Sequence, residues 1–185
     1  MARGSPWLGK KMTEQTPQPA QRETEPPARA GGSLDPDRVD PDRLVPSIQI
    51  RSFQYPQDYS DVMHLWANAG DGIQLRRSDE PEEIEKKLLR DPDLFLVAEH
   101  DGEIVGAVLG GFDGRRGMMY HLAVAASHRQ QGLGAMLMEA LEARLKAKGC
   151  IRYYLLVTWD NQEAIRFYET HGWERMQLHA YGKNL

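Results

Sequence analysis

A six-residue stretch with the sequence Arg-Gln-Gln-Gly-Leu-Gly joins an apolar, strand-like run to a long amphipathic helix. The first backbone N–H groups of a helix have no carbonyl partner, and the helix dipole adds positive potential there, so a helix start can bind an anion. Gly132 and Gly134 carry no Cβ that would collide with a phosphate, and Arg129 adds a cationic fork of donors. The stretch therefore predicts a cradle for a pyrophosphate group. Its members are Arg129, Gln130, Gln131, Gly132, Leu133 and Gly134.

Two other phosphate-binding motifs fit the same glycines less well. A Walker phosphate loop requires Gly-Lys-Ser or Gly-Lys-Thr, which the sequence lacks. In a dinucleotide-binding fingerprint, Gly132 and Gly134 would be the first two glycines, and Asp160 would be the acidic residue at the end of the next strand. However, Leu137 occupies the third glycine position, and five or six residues separate the strand from the glycines. A nicotinamide-dependent oxidoreductase is thus disfavoured, whereas a helix that begins with glycines only for tight packing stays open.

The elements around the cradle are predicted from periodicity and turn residues to form an α/β domain with a mixed, mostly antiparallel sheet and about four helices. Asp101-Gly102 and Asp113-Gly114 separate apolar runs, and Asp-Gly between such runs is typical of a hairpin. Three successive strands should therefore form an antiparallel meander. The helix after the cradle ends near Gly149 and carries one apolar face. That face consists of Leu133, Leu137, Leu141 and Leu145.

The C-terminal part continues the alternation of strands and helices. The apolar run at residues 151–159 predicts a buried strand. Asp160 can cap the following helix, with Glu163 reaching back in a capping box. Residues 173–184 alternate weakly and are predicted to form a last strand or hairpin. The predicted order is β-α-α-β-β-β-α-β-α-β.

Residues 1–46 differ in composition from the rest of the chain. Eight of the 11 prolines lie there, seven basic residues balance seven acidic ones, and no long apolar run occurs. We predict a disordered, Pro-rich tail ahead of a single domain at residues 47–185. The domain carries the net charge of −4, which disfavours a nucleic-acid partner. No apolar run reaches the length of a membrane span, and a single cysteine, Cys150, favours a buried thiol in a reducing cytoplasm.

Three ordered motifs resemble those of the GNAT superfamily of N-acetyltransferases. Residues 129–134 resemble its acetyl-CoA motif, Q/R-x-x-G-x-G/A, and residues 122–124 are similar to the strand that meets the pantetheine arm. The pattern N-x-x-A-x-x-F-Y runs from Asn161 to Tyr168, and Y-x-x-x-G-F/W from Tyr168 to Trp173. The likeness spans nearly the whole predicted domain. It is strongest to the bacterial YpeA-type acetyltransferases and more distant to the ribosomal-protein N-terminal acetyltransferases.

The resemblance implies direct transfer of an acetyl group from acetyl-CoA to an amine, with acetyl-CoA as co-substrate and no metal. It implies that the Val124 N–H polarises the thioester oxygen and that Tyr168 protonates the departing thiolate as general acid. Asn161 is matched to a CoA contact, and a helix cap is its alternative role. For Tyr168 the alternative is a packing role at a helix end. The implied acetyl-CoA contacts are Leu122, Ala123, Val124, Arg129, Gln130, Gln131, Gly132, Leu133, Gly134 and Asn161.

A general base is also required, because an acceptor ammonium must lose a proton before it attacks. Ribosomal-protein acetyltransferases use a glutamate at the position that Leu156 occupies here, and leucine cannot accept a proton. His121 lies beside the expected thioester and is the second predicted catalytic residue. Its alternative is a histidine that only packs within the strand. Glu99 and a chain of water molecules are further candidates.

The expected acceptor is an amine-bearing small molecule or peptide, and a homodimer is left open. Acceptor contacts are predicted in two loops at the sheet edge whose arginines could hold a carboxylate. These arginines are Arg76, Arg77, Arg115 and Arg116. The alternative function is a non-catalytic regulatory module that binds acyl-CoA, because such a module needs the cradle but neither a general acid nor a base.

Overall fold

A computed structural model describes residues 48–70 and 72–184 of the chain. The predicted Pro-rich tail at residues 1–46 lies outside the described residues, so its disorder stays a prediction. In the described part, one sheet has the strand order β1-β2-β3-β4-β5 and four α-helices flank it. The strands are β1 (Gln49–Ser52), β2 (Phe95–His100), β3 (Glu103–Phe112), β4 (Gly117–Val124) and β5 (Tyr153–Leu155). The helices are α1 (Tyr59–Ala67), α2 (Pro81–Arg90), α3 (Leu133–Ala147) and α4 (Gln162–Thr170).

The meander predicted from the two Asp-Gly pairs is confirmed. Asp101 and Gly102 turn the chain from β2 into β3 with φ values of 52° and 83°, a backbone region that aspartate and glycine enter more readily than most residues. The strands from β1 to β4 pair antiparallel with their neighbours, and β4 pairs parallel with β5. The mixed, mostly antiparallel α/β fold predicted from the sequence is therefore confirmed.

The sheet buries both of its faces, because helices cover each side. Leu137 and Leu141 of α3 are 0% exposed and pack in one hydrophobic core. Trp66 of α1 and Phe95 of β2 are equally buried in a second core, which α1 and α2 cover. Because a separate core packs on each face of the sheet, the residues on both sides of the central strands are buried. This explains why the sequences of these strands are nearly continuously apolar. No helix among the described residues is long and apolar enough to cross a membrane.

Cys150 is buried at the edge of the first core, as the sequence predicts. It is 9% exposed, and its Sγ donates a hydrogen bond to the carbonyl oxygen of Arg152 at 3.2 Å. A Cβ built on Gly117 would lie 3.2 Å from the same sulfur, so β4 packs closely over the thiol.

Strand β4 contains a β-bulge that the sequence does not reveal. Its pairing with β3 shifts by one residue between Met119 and Leu122. Leu109 of β3 therefore faces two residues of β4, Tyr120 and His121, instead of one. A bulge of this kind re-aims side chains. Here it places both Tyr120 and His121 on the face that α1 and α2 cover.

Strands β4 and β5 separate after three residue pairs. The parallel ladder begins at Gly117 and Tyr153 and ends at Met119 and Leu155. The strand predicted at residues 151–159 is thus much shorter than expected. In the described part of the chain, β4 has no strand partner on this side from residue 120 to residue 124. We call this gap the β4–β5 opening.

The structure differs from the sequence prediction at the C-terminus. Residues 173–184 form no strand after α4. Met176, Leu178 and Tyr181 are 43%, 71% and 92% exposed, so the segment buries little apolar surface against the sheet. Weak alternation without a buried face does not fix a strand register.

The core on the α3 side should dominate the stability of the domain. Leu141 is 0% exposed, and its Cδ1 lies 2.5 Å from the position that a Cβ on Gly110 would take. Leu141→Ala should therefore lower the free energy of unfolding by about 3 kcal/mol, measured by urea denaturation. Leu89→Ala is the matched control, because Leu89 is 87% exposed, and its effect should stay within about 0.5 kcal/mol. Equal losses in the two variants would contradict this assignment of the core.

Candidate active site

The predicted phosphate cradle lies in the loop between β4 and α3. Gln130 and Gly132 have φ values of 60° and 80°, and Gly132 is the N-cap of α3. The first helical hydrogen bond joins the Met136 N–H to the Gly132 carbonyl at 3.1 Å. The amides of residues 133–135 precede that bond, so they are free to meet an anion. Nothing lies within 4 Å of a Cβ on Gly132, so this glycine is needed for its backbone conformation and not for space.

Gly134 has a different role from Gly132. A Cβ on Gly134 would lie 3.3 Å from Cζ of Phe167 and 3.9 Å from Cγ2 of Val124. The missing side chain therefore lets α4 and the end of β4 pack closely on the start of α3. The tight-packing interpretation of the glycines holds for this position.

Arg129 binds two backbone carbonyls of the protein. Its Nε donates to the Val124 carbonyl at 3.1 Å, and its Nη2 donates to the Ala69 carbonyl at 2.9 Å. The guanidinium thus joins the end of β4 to the end of α1, and its charge stays beside the cradle. Gln131 donates from Nε2 to the Ser127 carbonyl at 3.1 Å, which closes the same loop on itself. These side-chain hydrogen bonds fix the loop that leads into α3.

The β4–β5 opening exposes backbone donors of β4. Consecutive N–H groups of an extended strand point to opposite sides. The Ala125 N–H donates to the Val105 carbonyl of β3 at 2.9 Å. The N–H groups of Val124 and Leu122 therefore point away from β3, towards the opening. Ala123, between them, is 4% exposed and packs in the second core.

Tyr168 lies on α4 and is partly buried against the first core. Its ring makes edge contacts with Phe167 and Trp173 at centroid distances of 5.2 and 5.7 Å. Burial raises the pKa of the Tyr168 hydroxyl to about 12. The phenol is therefore fully protonated near neutral pH and can act as a proton donor there.

Asn161 is the N-cap of α4. Its Oδ1 accepts a hydrogen bond from the Ala164 N–H at 3.0 Å. The sequence prediction that Asp160 caps this helix is therefore wrong, because the chain enters the helix one residue later. Asn161 Nδ2 lies 2.6 Å from where a Cβ on Gly72 would be, so the loop after α1 passes over this helix end. The helix-cap interpretation of Asn161 is confirmed.

His121 is paired with a buried carboxylate that sequence reasoning missed. Its Nε2 lies 3.2 Å from Oδ1 of Asp79, and Asp79 is only 5% exposed. Oδ2 of Asp79 accepts the Arg76 N–H at 2.8 Å, and the Trp66 ring packs edge-on against the imidazole at 4.6 Å. A carboxylate oxygen accepts in such a contact, so a hydrogen bond here requires the proton on Nε2 and leaves Nδ1 to accept. Asp79 precedes α2 in a run of acidic residues, so nothing in its local sequence distinguishes it as a partner of His121.

Glu99, the other side chain proposed as the base, lies away from the β4–β5 opening, and position 156 offers no base. Glu99 lies on β2, two strands from β4, and its Oε2 accepts from Arg51 Nε at 2.8 Å. Leu156 follows the last residue of β5 and is 71% exposed. Of the two side chains proposed as the base, His121 lies on β4 beside the opening and Glu99 does not.

The comparisons with known proteins agree with this geometry. Residues 59–173 match the acetyltransferase (GNAT) family. An acetyltransferase of Pectobacterium atrosepticum is 42% identical over 139 residues, which cover 75% of this chain and 96% of the relative. The crystal structure of Ard1 from Thermoplasma volcanium aligns at 26% identity with a TM-score of 0.59, covering 68% of this chain and 81% of that chain.

A more distant structure carries the same fold. The N-acetyltransferase PaiA from Thermoplasma acidophilum, solved in complex with coenzyme A, aligns at 18% identity with a TM-score of 0.63. The alignment covers 72% of this chain and 93% of that chain. The family match at residues 59–173 covers strands β2 to β5, the cradle and α4. This chain therefore belongs to the GNAT family and is an acetyl-CoA-dependent N-acetyltransferase.

Proposed function

We propose that the chain transfers an acetyl group from acetyl-CoA directly to the primary amine of a small molecule or peptide, with His121 as general base and Tyr168 as general acid. The observation that carries this proposal is the β4–β5 opening. It lies between a helix-start cradle and the His121–Asp79 pair, and it presents two backbone N–H groups of β4. A screen of amines and short peptides for acetyl-CoA-dependent thiol release tests it.

The cradle and the opening bind different parts of acetyl-CoA. The amides of residues 133–135 and the positive end of the α3 dipole suit the pyrophosphate. The N–H groups of Leu122 and Val124 suit the amide and thioester carbonyls of the rest of the molecule. A donor fixed in the strand stabilises negative charge as it develops on the thioester oxygen, without first having to reorganise. Binding acetyl-CoA and the acceptor side by side adds the proximity effect.

The base and the acid act on opposite ends of the same transfer. His121 takes a proton from the ammonium of the acceptor on Nδ1, while Asp79 accepts from Nε2 and holds the ring in place. The amine nitrogen then bonds to the acetyl carbon and the carbon–sulfur bond breaks. Tyr168 supplies the proton for the departing thiolate, and the second proton that the nitrogen loses as the amide forms restores the Tyr168 hydroxyl.

A non-catalytic acyl-CoA-binding module is the alternative. It would keep the cradle, but it gives no reason for a buried carboxylate that orients a histidine beside the opening. The absence of thiol release across a broad amine panel, combined with tight acetyl-CoA binding, would favour it. The cytoplasmic location, the homodimer and the disordered tail stay predictions.

Charge at the start of α3 should control acetyl-CoA affinity. Ala135 is half-buried at the third helical position, where glutamate is favourable for a helix, so Ala135→Glu should fold normally. Its carboxylate would lie beside the bound pyrophosphate and weaken the site. We expect the Kd for acetyl-CoA, measured by titration calorimetry, to rise about tenfold or more.

Ala135→Gln separates this effect from that of side-chain size, because glutamine matches glutamate in shape and carries no charge. Its Kd should stay within about threefold of the wild-type value. If both variants bind acetyl-CoA alike, the pyrophosphate does not lie at this helix start.

A further inference from the structure

An open groove of about 490 Å³ lies on the α2 side of the sheet and is not used by the proposed acetyl-CoA site. Tyr120 of the β-bulge and Tyr154 of β5 line it, together with the last turn of α2 and the turn between β3 and β4. Tyr120 directly precedes His121, and both lie on the same face of β4. The groove therefore reaches the residue next to the proposed base, on the face of the sheet opposite α3 and the cradle.

The groove is positively charged where it is farthest from His121. Three basic side chains and two acidic ones line it. Lys87 is neutralised by Asp91, which accepts from its Nζ at 2.8 Å. Asp113 is occupied by the backbone N–H groups of Arg115 and Arg116, at 2.7 and 2.6 Å. Asp91 also lies 3.9 Å from Arg90 Nε, so the two carboxylates of the groove are shared among three cations and the lining keeps a net positive charge.

Two arginines contact the ring of Tyr154, and of the two Arg116 lines the groove. The guanidinium carbons of Arg116 and Arg152 lie 5.5 and 5.6 Å from the centre of the Tyr154 ring. Neither arginine forms an ion pair with a carboxylate in the described part of the chain. Cation–π contacts hold both guanidinium groups in place without a carboxylate at ion-pair distance. An anion bound in the groove beside Arg116 would accept bidentate hydrogen bonds from its guanidinium group.

We propose that this groove selects acceptors that carry an anionic group, carboxylate or phosphate, at a distance from the reacting amine. This inference rests on the proposed transfer reaction, because it places the amine at His121. Arg116 precedes His121 by five residues, one of which the bulge takes up, so the two ends of the groove lie roughly 15 Å apart. The acceptor is therefore extended, and its anionic group binds beside Arg116 and Tyr154.

The test uses peptides with the sequence Ser-Ala-Gly-Gly-X-Gly-amide, in which X is Glu, phosphoserine, Gln or Lys. The span from the amine to X matches the groove. For the wild-type protein we expect kcat/KM to be about tenfold higher with Glu or phosphoserine than with Gln, and lowest with Lys. The difference should lie in KM, because a remote contact is the same in the ground state and the transition state. 12-Aminododecanoate and its amide test whether a small molecule is preferred to a peptide.

Arg116→Glu should reverse the order, so that the Lys peptide becomes the better substrate. Lys86→Glu is the matched control, because it makes the same change in net charge on the exposed side of α2, where Lys86 pairs with Glu83. It should leave the preference for Glu unchanged. Equal kcat/KM for all four peptides, or an unchanged preference in Arg116→Glu, would overturn the inference.

A binding measurement separates this inference from the proposed reaction. The N-acetylated Glu and Gln peptides are titrated into the protein, which requires no turnover. If the Glu peptide binds more tightly than the Gln peptide and Arg116→Glu abolishes this difference, the groove is supported even without acetyl transfer. The lack of transfer would then count only against the catalytic proposal. Turnover without any charge preference, in binding or in rate, leaves the reaction standing and refutes the groove.

Discussion

Tyr168→Phe is expected to lower the turnover number by about 100-fold or more, which is the usual contribution of a positioned general acid. The substitution removes one hydroxyl and almost no volume, so the edge contacts with Phe167 and Trp173 persist. The Kd for acetyl-CoA should therefore stay near the wild-type value. The loss should appear in kcat, because the proton is needed only as the thiolate departs. The measurement is steady-state thiol release with the best acceptor from the screen.

The pH dependence provides a second test of the same role. Because burial raises the pKa of Tyr168 to about 12, its hydroxyl keeps its proton throughout the neutral range. Loss of this proton should therefore not reduce wild-type turnover until the pH approaches about 12. If Tyr168→Phe turns over like the wild type, the tyrosine is a packing residue and water protonates the thiolate.

His121→Ala should reduce turnover by about 100-fold or more at neutral pH, since the amine would lose its base. Asp79→Asn should have a smaller effect of the same kind. Asparagine keeps the size of the side chain but no longer fixes the imidazole with an ionised acceptor, so Asp79 is a positioning residue. In both variants the Kd for acetyl-CoA should be unchanged, because the cradle lies on the other side of the opening.

Glu99→Gln is the matched control for the base. Glu99 binds Arg51 and lies two strands away, so this variant should retain nearly full turnover with folding intact. Rescue of His121→Ala at higher pH would strengthen the assignment, because an amine that is already deprotonated needs no base. Undiminished activity of His121→Ala at neutral pH would mean that a chain of water molecules, and not His121, accepts the proton of the acceptor ammonium.

The sequence predicts much of this fold because local chemistry determines it. Asp-Gly turns define the meander, and leucines at helical spacing define α3. The cradle is predictable for the same reason, since the glycines and the helix that follows are neighbours in the chain. The family motifs add Asn161 and Tyr168 because they occur at fixed spacings in one helix.

The remainder depends on contacts between distant residues. Asp79 and His121 are 42 residues apart and meet only when the segment before α2 packs over β4. The bulge has no composition signal, because it is a shift in pairing between β3 and β4. The early end of β5 and the missing last strand likewise depend on which partner each segment finds. The hydrogen bond from Arg129 to the Ala69 carbonyl is equally unpredictable, because the two residues are 60 positions apart in the sequence.

The burial of Cys150 has a practical consequence for measuring activity. Acetyl transfer releases coenzyme A with a free thiol, which disulfide reagents detect by colour. The protein contributes one cysteine in 185 residues, and in the folded state its sulfur is shielded under β4. The native enzyme should therefore add almost no background to such an assay, even at high concentration. Slow appearance of one thiol per chain would instead mark unfolding, so one reagent can report both turnover and loss of structure in every variant.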